Sequence, residues 1–177
     1  MKSRALTFLA VTSLLATTHA ADQWQTIQGP DNQVSISIPA PVETKTTSNK
    51  TLAGTVLTTV HKYHGENEIY DFSFTKLPSL AVKIGGAEKI VNNAKGNVLH
   101  RTLGTETAFE KTTLNGQEAW HLEYTCPDHS DESHPGFHGE AYLMLVDDTL
   151  YVVNVTIHTE GSKDNLHKFF NSVSVSS

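Results

Sequence analysis

Cys126, Asp128, His129, Asp131, Glu132, His134, His138 and Glu140 crowd into the short segment between residues 126 and 140. Imidazole, carboxylate and thiolate are the side chains that coordinate zinc, copper, nickel or manganese. Cys126, His129, His134, His138 and Glu140 therefore form a candidate site for a divalent metal, zinc or copper. His121 and Glu123 share one face of the strand leading into the segment and are expected to point towards the same region. The spacing matches no zinc signature. Two, four and three residues separate Cys126, His129, His134 and His138, and no His-Glu-x-x-His is present. Pro135-Gly136 interrupts any helix that would align the last two histidines. The competing reading is a solvated hairpin loop kept soluble by its acids.

Other chemistry is less well supported. His61 and His64 flank Tyr63 near a strand end, His158 closes another strand, and His167 lies beside Lys168 in a helix; each reads as a surface or edge residue. No Gly-x-Ser-x-Gly elbow accompanies the many serines. Cys126 beside a loop histidine is a conceivable nucleophile, but the neighbouring acids raise a thiol's pKa and so oppose its ionisation. Gly85-Gly86 at a helix start suits a plain turn, since no phosphate-binding motif surrounds it. A small hydrolase is the third reading, after a binding protein and a metal protein.

Periodicity shows which strands and helices carry these residues. Trp24 to Ile27 reads as a strand, followed by a turn at Gly29-Pro30-Asp31-Asn32. Val34, Ile36 and Ile38 then alternate with polar residues, as in a strand with one buried face. Thr44 to Thr51 suits an exposed edge strand or loop. Thr55 to His64 and Ile69 to Leu77 form two strands around Gly65-Glu66-Asn67. Ile84, Ala87, Ile90, Val91, Ala94 and Val98 recur at helical spacing, with Gly96 near the helix end. Thr102 to Thr113 and Glu118 to Thr125 pair across Asn115-Gly116, a strong hairpin signal. Tyr142 to Val146 and Leu150 to Val153 are apolar on successive residues, which marks strands covered on both faces. Ser162 caps a last helix with Asp164 in its first turn; Leu166, Phe169 and Phe170 supply its buried side, and Val173 to Val175 form a closing strand. The fold class is α+β, an antiparallel sheet flanked by helices.

Lys2 and Arg4 precede an apolar run from Ala5 to Ala16, and Thr18-His19-Ala20 offers a small-x-small cleavage site. This is the pattern of a signal peptide over residues 1–20, leaving residues 21–177 as one domain in the periplasm or outside the cell. The run is too short to span a bilayer, so no membrane anchor is expected after cleavage. The chain has 13 basic and 19 acidic residues. Such a balance, with no basic cluster, argues against nucleic acid as a partner. A single cysteine excludes an intramolecular disulfide. A monomer is expected. Asn49-Lys50-Thr51 and Asn154-Val155-Thr156 fit the glycosylation pattern, but Asn154 falls in an apolar strand.

Trp24, Pro30-Asp31 and the Val34-Ser35-Ile36-Ser37-Ile38-Pro39 strand open the chain after the signal. Leu150-Tyr151-Val152-Val153-Asn154-Val155 and then Phe169-Phe170-Asn171-Ser172-Val173 close it. In this order the elements resemble the PsbP-like family, which includes extrinsic photosystem proteins, Ran-binding relatives and small exported bacterial proteins. The resemblance implies an antiparallel sheet between helices as an α/β/α sandwich, and usually no catalysis. Some photosystem members associate with divalent metals, but no family ligand motif is matched here, so no site residue carries over. The resulting expectation is an exported, non-enzymatic accessory or binding protein with a protein or small-molecule partner.

Overall fold

Val34, Ile36 and Ile38 are fully buried while Ser35 and Ser37 between them are not, so this strand does show one face to a core. It is one of ten strands and two helices in the computed structural model, which describes residues 23–51, 54–126, 136–158 and 161–176. Residues 1–22, which include the expected signal peptide, lie outside the described residues. The elements run β1 (Trp24–Gln28), β2 (Val34–Pro39), β3 (Glu43–Thr51), β4 (Gly54–His64), β5 (Glu68–Lys76), α1 (Ser79–Thr102), β6 (Thr105–Leu114), β7 (Gln117–Cys126), β8 (Phe137–Val146), β9 (Thr149–His158), α2 (Lys163–Asn171) and β10 (Ser174–Val175).

Seven strands form one sheet in the order β3-β4-β5-β9-β8-β7-β6, and β1-β2-β10 form a second. Every pairing is antiparallel. The strand at the centre of the larger sheet, β9, is buried at every position from Tyr151 to Ile157. Tyr151, Val153, Val155 and Ile157 face a core shared with β2 and α2. Val152, between them, faces the opposite way and packs under α1. The two oily strands meeting at Asp147-Asp148 are thus covered on both faces, as their unbroken apolar pattern requires.

The cover is less helical than expected. One face of the large sheet carries α1, but the other carries α2 together with the β1-β2-β10 sheet. Helix α1 also departs from its sequence pattern. Gly86 adopts φ 70° and ψ 158° and breaks the helix there. Such a backbone is open to glycine and strained for other residues. The break ends the helical phase, so Val91, Ala94 and Val98 are buried while Ile84 is 78% exposed. The helix runs past Gly96 to Thr102, turning out through Leu103 at φ 51°. At α2, Ser162 Oγ accepts from the Asn165 amide at 3.2 Å, and Leu166, Phe169 and Phe170 are buried as the spacing predicts.

Candidate functional site

The β7–β8 hairpin carries the described part of the histidine-acid segment. Its register pairs Cys126 with Phe137, Thr125 with His138 and Glu123 with Glu140. Directly paired residues share a face, and successive residues alternate. Cys126 therefore lies on the α1 face with Tyr124 and Leu122, while His138 and Glu140 lie on the opposite face. This parity separates Cys126 from the other two candidate ligands. His129 and His134 fall outside the described residues, and among those described no group of three or more His, Cys, Asp or Glu is arranged to hold a metal ion. Cys126 is 7% exposed, and its thiol contacts the Phe137 carbonyl at 3.6 Å. Burial pushes the thiol's pKa up, which keeps it protonated and unreactive. Folded protein at neutral pH should accordingly label at Cys126 at least about tenfold more slowly with a thiol reagent than denaturant-unfolded protein. Equal rates would show the thiol to be accessible.

Glu140 finds a different partner. His121 Nε2 lies 2.9 Å from Glu140 Oε1, and the imidazole stacks on Tyr142 with ring centroids 4.6 Å apart. Both side chains are mostly buried. The hydrogen bond to Glu140 raises the His121 pKa against the opposing effect of burial, and the charges of Glu123 and Glu110 add to the rise. An imidazole with a raised folded pKa stabilises the fold fully below its ordinary value near 6.5. That stabilisation is lost as pH climbs through the raised value. Urea unfolding should show the parent losing about 1 kcal/mol more than Glu140→Gln between mildly acidic and mildly alkaline pH. Parallel pH profiles would contradict this role for the pair.

A second site emerges only in three dimensions. Helix α1 packs on β7, β8 and β9, leaving the β3–β5 half of the same face open. A groove of about 510 Å³ runs between the helix and these strands. Lys45, Thr47 and Asn49 on β3 form one wall. Thr58, Ser73 and Thr75 rise from β4 and β5, with the Thr58 and Thr75 hydroxyl oxygens 2.8 Å apart. Asn97, His100 and Arg101 project from the last turns of α1, and Val98, Leu150 and Val152 supply an apolar floor. Among the described residues no carboxylate lines this groove, although acids outnumber bases in the chain. The ion pairs of the described residues engage Lys76, Lys95, Lys111 and His121, leaving Lys45 and Arg101 without a carboxylate partner. The sequence gives no local sign of this groove, because its walls come from strands and a helix far apart in the chain.

No family model and no curated protein matches the sequence. The solved structures do. The solution structure of cyanobacterial PsbP (CyanoP) from Synechocystis sp. PCC 6803 superposes with a TM-score of 0.54, over 94% of this chain and 99% of that one. The fold is PsbP-like. A protein from Bacteroides thetaiotaomicron is also similar, at 8% identity and a TM-score of 0.48, covering 86% of this chain and 48% of its own. The likeness to CyanoP, at 14% identity, extends to the PsbP-like fold and not to any site residue, since function resides in sites placed on a fold. Among the described residues of this PsbP-like chain, no helix is long and apolar enough to cross a membrane.

Proposed function

We propose that the protein is an exported, non-enzymatic binding protein whose ligand seat is the groove between α1 and β3–β5. The observation carrying this reading is an open, hydroxyl- and amide-lined groove with cations on both walls and, among the described residues, no carboxylate in its lining. Its volume falls in the range of small-molecule sites, roughly 300–1,000 Å³. Ligand recognition needs converging polar groups over an apolar floor, and the groove supplies both. The Lys2–Ala20 segment supports export.

Native mass spectrometry of protein recovered from an exporting host tests this reading. The parent should carry a small added mass that denaturation releases, and Lys45→Glu with Arg101→Glu should remove it. An identical adduct on the variant, or turnover of ester, phosphate or peptide substrates by the parent, would contradict the assignment. Metal analysis of the same untagged preparation distinguishes it from a metal protein using the segment from Cys126 to Glu140.

A further inference from the structure

We propose that this groove takes a hydroxylated organic anion of about monosaccharide size, a sugar bearing a carboxylate or phosphate. The inference rests on the groove being the ligand seat and goes on to name the ligand's chemistry.

Charge is the first argument. Arg101 and Lys45 stand on opposite walls, on α1 and β3, and among the described residues neither forms an ion pair with a carboxylate. Basic residues in a last helical turn complement the helix dipole, which alone would account for His100 and Arg101. It does not account for Lys45, which belongs to a strand and converges on the same space. An arginine fork binds carboxylate or phosphate through two parallel hydrogen bonds, and a lysine adds a mobile point charge.

The hydroxyl ladder is the second argument. Thr47, Thr58 and Thr75 occupy one row across β3, β4 and β5, since Thr47 pairs with Thr58 and Thr58 with Thr75. Ser73 stands in the neighbouring row beside Val60 and Lys45. Hydroxyls both donate and accept, so such rows match a ligand whose own hydroxyls do the same. A bare inorganic anion would use only the donors. Half-buried Leu150, lying over the buried Val98 and Val152, offers an apolar contact for the C–H face of a sugar ring.

Calorimetric titration of the mature protein with glucuronate, glucose 6-phosphate, glucose and inorganic phosphate tests the proposal. At least one anionic sugar should bind saturably, at least about tenfold tighter than both glucose and inorganic phosphate. Lys45→Gln with Arg101→Gln should weaken that binding about tenfold, as should raising salt enough to shorten the screening length several-fold. Thr58→Val with Thr75→Val should weaken the sugar anion several-fold more than it weakens inorganic phosphate. These positions are exposed or half-buried, and an unchanged unfolding midpoint verifies that each variant folds. Saturation by neither anionic sugar, glucose or phosphate binding as tightly, or indifference to the charge variant would overturn the proposal. If the anionic sugars fail while the charge variant still loses the native adduct, the groove stands as the seat and this ligand chemistry falls.

Discussion

Gly139→Ala is expected to destabilise the fold by about 3 kcal/mol, at the upper end of what overpacking a core costs. Gly139 on β8 stands directly opposite Tyr124 on β7, and the tyrosine ring lies across the glycine. A Cβ there would sit on the ring carbons, inside the 3.0 Å that real Cβ contacts keep. The ring has nowhere to go. Tyr124 is fully buried and its hydroxyl donates to Asn154 Oδ1 at 2.7 Å, so swinging it aside would also break that bond. An aromatic ring covering a cross-strand glycine is a known device for filling the gap that glycine leaves in a sheet. In a Tyr124→Ala background the space opens, and the same Gly139→Ala change should cost less than about 1 kcal/mol. Urea unfolding of the four proteins in this cycle measures the coupling. Equal costs in both backgrounds would show that the ring is not what excludes the methyl.

Asn154→Ala carries the second large effect, a loss of about 3 kcal/mol arising from unpaired buried polar groups rather than from lost volume. Asn154 is 1% exposed at the middle of β9. Its carbonyl oxygen accepts from the Tyr124 hydroxyl, and its amide donates to Asp71 Oδ2 at 3.3 Å. Burial raises the pKa of the Tyr124 phenol, which keeps it a hydrogen-bond donor. Alanine would strand both neighbours: a buried hydroxyl, and a carboxylate on a residue only 9% exposed. Tyr124→Phe removes one end of the chain and should cost about 1 kcal/mol. Asn154→Asp adds a second carboxylate beside Asp71. One acid of that pair then takes a raised folded pKa, so its penalty is full at neutral pH and shrinks as pH falls. Unfolding midpoints for the three variants at neutral and acidic pH check the set. A cost for Asn154→Asp that does not change with pH would show that Asp71 is not its neighbour in effect. The same burial answers the glycosylation pattern at Asn154, whose amide is committed inside the sheet.

Much of this fold was legible because its strands bury by parity. The alternation at Val34, Ile36 and Ile38 and the unbroken apolar run at Leu150 to Val153 each describe how many faces of a strand are covered, and burial follows them. Ser162 was equally readable, since a cap is a local hydrogen bond. Helix α1 was misjudged at its start because periodicity assumes one continuous phase, which Gly86 interrupts. The expectation of helices on both faces missed that β1, β2 and β10 would pair with one another. β1 and β2 pair locally across the turn at Gly29–Asn32, but β10 joins β2 from the far end of the chain, and such long-range pairing leaves no local trace in a strand of two residues. The candidate site divided in the same way. His121 and Glu123 were seen to share a face, but only the β7–β8 register brings Glu140 to His121 and turns Cys126 away. The groove was not legible at all, because Lys45 and Arg101 come to line one space through the sheet order and not through the sequence.

Amide shift mapping of a small-molecule fragment library on isotope-labelled protein will show where ligands settle, because fragments report a binding surface without knowledge of its natural ligand. Perturbations should concentrate on β3, β4 and β5 and on Asn97 to Arg101 at the end of α1. Perturbations gathered instead around His121 and Glu140, on the other face of the sheet, would contradict the account.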